Sequence, residues 1–176
     1  MKTIRLENFY RIFDKYKPQR ICEIGTHNGR SAAQLSSYLL EMGLDVEYTG
    51  YDMFDAANTL EFHKAEHNGK GAGSFETATE RLAEVQKKFP NFKFTLIQGN
   101  THDTFTIPCK FDFAFIDGGH SYETVKHDYE MLKETPVIVF DDYQINEIYQ
   151  FVNEIGNFTE LPRIGPKLRQ ALKIHT

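Results

Sequence analysis

The sequence contains only two cysteines among its 176 residues, and it has no excess of positive charge. Cys22 and Cys109 both sit in or beside apolar segments, which favours reduced core thiols over a disulfide framework. The formal net charge of -5 provides no overall basic field for a polyanion, so no nucleic-acid partner is expected.

Long apolar runs are also missing from the sequence. No segment approaches the roughly 18 apolar residues that a membrane-spanning helix needs. The first dozen positions carry charges where a signal peptide has an apolar core. We therefore expect no membrane contact, and the predicted location is the cytoplasm. With 40% hydrophobic residues the chain can form one core of ordinary size, which predicts a single domain over residues 1–176.

The sequence does contain an alternation of short apolar runs with longer segments of helical period. Apolar runs joined by helices form a parallel sheet covered on both faces, so the predicted fold class is α/β. The predicted strands are 21–25, 46–52, 92–99, 111–117 and 137–140, the predicted helices are 31–42, 74–89, 121–133 and 145–155, and the runs 158–164 and 168–175 suit a terminal antiparallel pair.

Two further segments lie outside this alternation. Within residues 1–18, the spacing of Phe9, Ile12 and Phe13 predicts an additional helix against the core. Residues 54–73 are polar and end in several glycines, which predicts a mobile flap.

Ligands of open parallel sheets bind where the strands end, so the loop E-I-G-T-H-N-G after the first strand is a candidate site. Its glycines, Gly25 and Gly29, expose backbone N–H groups at the start of a helix. A dinucleotide fingerprint would have glycine where His27 stands, which weighs against an NAD-dependent oxidoreductase. Asp52, after the second strand, can accept hydrogen bonds from both hydroxyls of a ribose.

A second candidate site follows the fourth and fifth strands. If these strands are neighbours, Asp117, Asp141 and Asp142 meet at one edge of the cleft, where crowded carboxylates take up protons or share a cation. Oxygen ligands favour a hard divalent ion, with Mg²⁺ first. In the alternative interpretation, one aspartate caps the helix near Ser121 and another is solvated.

His120 follows Asp117 in the segment I-D-G-G-H-S-Y-E, before a predicted helix. A histidine there can change its charge near neutral pH and reach a hydroxyl beside the ion, which makes it a candidate general base. The alternative is a histidine that only bonds locally at the helix start.

The segments E-I-G-T-H-N-G, Y-D-M, I-D-G-G-H-S-Y-E and V-F-D-D-Y together resemble the class I S-adenosylmethionine-dependent methyltransferases. They are most similar to the cation-dependent O-methyltransferase branch that includes macrolide sugar O-methyltransferases. The resemblance implies a Rossmann-like sandwich with a seven-stranded, mostly parallel sheet in the order 3-2-1-4-5-7-6 and an antiparallel last strand. It also implies transfer of a methyl group to a hydroxyl of a small molecule, a sugar or polyol more than a catechol.

The same resemblance implies roles for individual residues. Asp117, Asp141 and Asp142 match the metal ligands, and His120 matches the catalytic base of the sugar-modifying branch. The residues that it places around S-adenosylmethionine are Glu23, Gly25, Thr26, Gly29, Asp52, Met53, Asn100, Thr101 and Asp117.

Other interpretations stay open at this point. The cleft also suits a non-catalytic module that binds S-adenosylmethionine or another nucleoside, and a homodimer is compatible with the sequence. His63, Glu66 and His67 spell an inverted zinc-protease motif, but they fall in the polar flap and not on a clearly amphipathic helix, which favours solvated side chains.

Overall fold

The computed structural model describes residues 6–57, 71–163 and 169–175. A short 3-10 helix, Phe54–Ala57, follows the second strand. The helices are α1 (Glu7–Tyr16), α2 (Arg30–Glu41), α3 (Phe75–Lys88), α4 (Thr101–Thr104), α5 (Tyr122–Leu132) and α6 (Asn146–Ile155). The strands are β1 (Arg20–Ile24), β2 (Val46–Asp52), β3 (Phe92–Gln98), β4 (Phe113–Ile116), β5 (Val137–Phe140), β6 (Phe158–Glu160) and β7 (Ala171–Ile174).

The strands form one seven-stranded sheet in the order β3-β2-β1-β4-β5-β7-β6. Adjacent strands in the part β3-β2-β1-β4-β5 pair in parallel. Strand β7 is antiparallel to both of its neighbours, β5 and β6. The predicted α/β class, strand order and antiparallel last strand are therefore confirmed.

Alternating side chains of the central strands build a separate core on each face of the sheet. In β4, Phe113 and Phe115 pack with α1, α2 and α3, whereas Ala114 and Ile116 pack with α5 and α6. All four residues of β4 are buried, which explains why the strand is a continuous apolar run. The result is a sandwich with helices on both faces.

The expected N-terminal helix is present as α1 and closes one of these cores. Phe9 meets Phe115 edge to face with ring centroids 4.7 Å apart, and Phe13 meets Phe113 in the same way at 5.0 Å. Such aromatic pairs stabilise a core by about 0.5–1.5 kcal/mol beyond their area burial.

The short helix α4 is an element that helical periodicity did not predict. Its four residues span barely one turn, which is too short for a repeating apolar stripe. Asn100 begins it, because its side chain accepts a hydrogen bond from the backbone N–H of His102 at 3.0 Å.

Cys22 and Cys109 are free, as predicted, and Cys22 is buried. Burial is the main cause that raises the pKa of the Cys22 thiol, and the nearby carboxylates of Asp128 and Glu23 add to it. Among the helices described, none combines the length and the apolar character needed to cross a bilayer. Most of the predicted flap, including His63, Glu66 and His67, lies outside the described residues.

Candidate active site

The register of the sheet brings the ends of four strands together. Ile24 of β1 lies beside Tyr51 of β2 and Ile116 of β4, and Ile116 lies beside Phe140 of β5. The residues that follow these positions are Gly25, Asp52, Asp117 and Asp141, so the polar positions of the sequence meet at one sheet edge.

A cavity opens at this edge, with about 680 Å³ of empty space that includes its mouth open to solvent. Five of the predicted cofactor-binding residues line it, namely Gly25, Asp52, Met53, Asn100 and Thr101. Its other lining residues are Ile24, Tyr51, Gly99, His102, Gly118, Gly119, Thr124 and Asp128.

The Asp52 carboxylate is held by the backbone on both sides. One oxygen accepts the N–H of His27 at 2.6 Å, and the other accepts the N–H of Phe54 at 2.6 Å. Each carboxylate oxygen has a second acceptor site. Asp52 can therefore still receive two further hydroxyl donors while its orientation is fixed.

Gly25 makes the close approach that the first loop requires. Its φ is +93°, its N–H donates to the Tyr51 carbonyl at 2.8 Å, and a Cβ at this position would lie 2.0 Å from the Asp117 carbonyl oxygen. The loop after β1 therefore lies directly against the end of β4.

We predict that Gly25→Ala lowers the free energy of unfolding by about 3 kcal/mol or more, because the methyl group meets backbone that cannot move aside. Gly43→Ala is the matched control, since Gly43 has a φ of +84° and no atom within 4 Å of its Cβ position. That control should cost only about 1 kcal/mol. Urea denaturation measures both values, and equal losses would contradict the steric explanation.

Four of the predicted cofactor-binding residues, Glu23, Thr26, Gly29 and Asp117, do not line this cavity. Asp117 borders a neighbouring cavity instead. Glu23 and Thr26 are buried, and both contact the Tyr48 hydroxyl of the neighbouring strand. Burial and the adjacent Glu23 carboxylate raise the pKa of Tyr48 well above its ordinary value, so its hydroxyl is a donor. Gly29 precedes α2 at a φ of +68°, and a Cβ there would lie 3.2 Å from Ala78 Cα of α3. In this structure Glu23, Thr26 and Gly29 therefore support the loop after β1 through contacts with β2 and α3, on the side away from the cavity.

A second, much smaller cavity adjoins the first, with Gly118 and Gly119 lining both. Its empty space is about 210 Å³, which includes space open to solvent. The predicted catalytic and metal-binding residues all line it, namely Asp117, His120, Asp141 and Asp142.

Within this cavity His120 and Asp142 form a pair. His120 Nε2 lies 3.1 Å from Asp142 Oδ2, and both side chains are largely buried. Gln144 donates from Nε2 to Asp142 Oδ1 at 2.8 Å, and its Oε1 accepts the backbone N–H of Arg169 at 2.9 Å. The C-terminal segment before β7 thus fixes the orientation of the carboxylate that faces His120.

The donor chemistry of this cavity suits a hard cation, since three carboxylates border it. Within residues 6–57, 71–163 and 169–175, however, no three side chains of histidine, cysteine, aspartate or glutamate are arranged as a ligand group for a metal ion. The metal site remains a prediction.

The sequence analysis missed Asp128, which lines the larger cavity and is completely buried. The available signal was its position three residues after Val125, on the inward face of α5. His102 also lines the cavity, and its ring stacks on that of His127 with centroids 4.2 Å apart.

Residues 22–143 match a protein family whose model is described as a methyltransferase domain. No curated protein matches the chain. The structurally similar proteins include one from Klebsiella pneumoniae that is described as an O-methyltransferase. Its sequence identity is 17% and its TM-score is 0.65, over 98% of this chain and 80% of that one.

Two further similar structures have TM-scores of 0.61. TomG from Streptomyces achromogenes, an O-methyltransferase of tomaymycin synthesis solved with S-adenosylmethionine, is 17% identical, over 95% of this chain and 78% of that one. A Staphylococcus aureus protein that is described as a caffeoyl-CoA O-methyltransferase is 14% identical, over 98% of this chain and 84% of that one. At such identities the similarity shows a shared fold.

Proposed function

Since the chain belongs to the methyltransferase family that its residues 22–143 match, we propose that it transfers a methyl group from S-adenosylmethionine to a hydroxyl of a small molecule, a sugar or polyol in preference to a catechol. The observation that supports this proposal best is the shared wall of the two cavities. Gly118 and Gly119 line both the space beside Asp52 and the space beside His120. A methyl donor in one cavity and a hydroxyl in the other would come into direct contact beside these two residues, which have no side chains to keep the reacting atoms apart.

The larger cavity supplies the contacts that a nucleoside needs. Asp52 would accept both ribose hydroxyls, while the backbone at Gly25 and Asp117 would border the amino-acid tail. Met53, Asn100 and Thr101 would surround the base, and Glu23, Thr26 and Gly29 would support the loop from behind. The sulfonium of S-adenosylmethionine supplies an already activated methyl group, so the task of the protein is to hold the acceptor in line with it.

The smaller cavity would hold a divalent cation through Asp117, Asp141 and Asp142. A bound divalent cation lowers the pKa of a coordinated hydroxyl and orients it. Asp141 is 1% exposed, and a carboxylate so far from water is stabilised by positive charge.

His120 would take the proton from the acceptor hydroxyl. Its Nε2 faces Asp142, which stabilises the imidazolium that forms. The Gln144 bond to Asp142 keeps that carboxylate in place while the charge changes.

The remaining features support a cytoplasmic enzyme acting on a small molecule. Both cysteines are free, as expected in a reducing compartment. The net charge of -5 disfavours a nucleic-acid acceptor, and a homodimer is compatible with the fold.

The cofactor part of the proposal is tested by calorimetric titration with S-adenosylhomocysteine. Asp52→Asn should weaken binding by about ten- to hundredfold, because it replaces one carboxylate acceptor with an amide donor that faces a backbone N–H. Asp45→Asn, at the opposite end of β2, should leave the affinity unchanged. Equal affinities of wild type and Asp52→Asn would contradict the assigned ribose site.

Methyl transfer itself is tested with labelled S-adenosylmethionine and a panel of hydroxylated acceptors, with and without Mg²⁺. Transfer to a sugar or polyol hydroxyl is the expected result. Tight binding of S-adenosylhomocysteine without transfer to any acceptor would favour the non-catalytic binding module.

A further inference from the structure

Asp142 has a backbone conformation that residues other than glycine rarely adopt. Its φ is +49°, in the left-handed region, where the Cβ of an L-residue is crowded against the backbone. A residue in such a conformation persists only when its surroundings hold it there. The contacts around Asp142 therefore explain how its carboxylate is kept 3.1 Å from His120 Nε2.

Arg169 holds the chain just after Asp142 through both of its backbone groups. Its carbonyl accepts the N–H of Tyr143 at 3.0 Å, and its N–H donates to Gln144 Oε1 at 2.9 Å. Gln144 in turn donates from Nε2 to Asp142 Oδ1 at 2.8 Å. The position of Arg169 therefore determines the position of the backbone next to Asp142 and, through Gln144, the direction of its carboxylate.

The side chain of Arg169 is itself fixed by two contacts. Its guanidinium lies over the ring of Tyr143, 4.8 Å from the ring centroid. It also donates two bonds to Glu160 of β6, from Nε to Oε1 and from Nη2 to Oε2, each at 2.7 Å. Such a bidentate pair fixes the orientation of the guanidinium as well as its position. The hydrogen bonds from Arg169 also lower the pKa of the Glu160 carboxyl below its ordinary value, so this partner stays charged.

The ring of Tyr143 gives the guanidinium a fixed surface on which to lie. Tyr143 is 2% exposed, and its hydroxyl accepts a hydrogen bond from Asn153 Nδ2 of α6 at 3.1 Å. Its ring meets that of Phe158 of β6 with centroids 5.4 Å apart. Because Tyr143 follows Asp142 directly in the chain, its packing and the ion pair together connect β6 with Asp142.

We propose that Arg169 is a positioning residue for methyl transfer, which keeps the Asp142 carboxylate directed at His120. Glu160 and Tyr143 hold Arg169 itself in place. This inference rests on the proposed function, because it assumes that His120 and Asp142 act on the acceptor hydroxyl. Arg169 lines neither of the two cavities, so its effect should appear in the rate of transfer and not in the binding of S-adenosylhomocysteine.

Rate and stability should respond differently to the loss of the ion pair. The side chains of Arg169 and Glu160 are 24% and 35% exposed, and an ion pair in contact with solvent contributes little to stability. A displacement of about 1 Å at a reacting group, by contrast, can reduce the rate by about a hundredfold. A positioning role therefore predicts a slower enzyme whose resistance to urea is nearly unchanged.

The test measures methyl transfer by Arg169→Met in the full chain, with labelled S-adenosylmethionine and the acceptor that wild type uses best. We expect kcat to fall by about tenfold or more, while the KM for the acceptor and the affinity for S-adenosylhomocysteine change less than about threefold. Arg163→Met is the matched control and should keep the full rate, because Arg163 also contacts Glu160, at 3.7 Å, but its side chain is 65% exposed.

The outcomes separate this inference from the proposed function. A full rate in folded Arg169→Met overturns the inference alone, and so does an equal loss in Arg163→Met. A wild type that transfers a methyl group to no acceptor overturns the proposed function and the inference together.

Glu160→Gln tests the same contacts from the other side of the ion pair. Its kcat should fall by about three- to tenfold, because an amide cannot accept both bonds from the guanidinium. The double variant with Arg169→Met should be no slower than Arg169→Met alone, since both changes act through one set of contacts. Losses that multiply in the double variant overturn the inference. If Arg169→Met fails to fold, Glu160→Gln decides: a lower kcat with unchanged cofactor affinity supports the inference, and an unchanged kcat overturns it.

Discussion

Replacing His120 by alanine is expected to slow methyl transfer by about 10²- to 10⁴-fold, which is the usual contribution of a positioned general base. The expectation rests on the 3.1 Å contact between His120 Nε2 and Asp142 Oδ2, and on the shared lining of the cavity that also holds Asp117 and Asp141. The rate is measured with labelled S-adenosylmethionine and the acceptor that gives the fastest transfer.

The affinity for S-adenosylhomocysteine separates a chemical role of His120 from a structural one. It should change less than about threefold in His120→Ala, because His120 does not line the larger cavity. His120→Lys should recover part of the rate, since lysine in its neutral amine form can also accept the proton of the hydroxyl. His175→Ala is the matched control, because His175 follows β7 next to the amino end of β5, at the edge of the sheet opposite the site. A full rate in His120→Ala would show that another group removes the proton.

The fold was predictable because its signals are local. The parallel strands are continuous apolar runs, and β5 was predicted at its observed bounds, Val137–Phe140. Strand order cannot be deduced from such runs alone, and here it came from the resemblance to a known family. The roles of the strand ends followed from one rule, that parallel strands finish at a common edge.

The same reasoning could not tell which face of a buried strand a side chain occupies. Glu23 lies in β1, four of whose five residues are buried, so no polar alternation marks its direction. In the structure it contacts Tyr48 and does not line the cavity. Asp128 shows the opposite situation. The sequence reveals that this charged residue lies on the inward face of α5, but only the structure shows that the larger cavity lies beside it.

Removing divalent cations with EDTA is expected to lower methyl transfer by at least about a hundredfold, and Mg²⁺ or Mn²⁺ should restore it. Asp141→Asn should reproduce the loss, since Asp141 is almost fully buried and its backbone N–H is fixed by the Ile116 carbonyl at 3.0 Å, directly beside the end of β4. Asp45→Asn should not affect the rate. The direct readout is Mn²⁺ binding followed by electron paramagnetic resonance, with one site expected in wild type and a strong loss of affinity in Asp141→Asn.

Binding of S-adenosylhomocysteine after chelation shows whether the loss of activity is due to the metal alone. S-adenosylhomocysteine should bind with little change after chelation, because Asp141 and Asp142 do not line the larger cavity. Asp117 contributes its backbone to the wall beside Gly25 and its side chain to the smaller cavity, so Asp117→Asn should retain the wall and lose the ion. Activity that persists in EDTA, together with no Mn²⁺ site, would mean that the three carboxylates border the acceptor without a metal. His120 and Asp142 would then have to activate the hydroxyl by themselves.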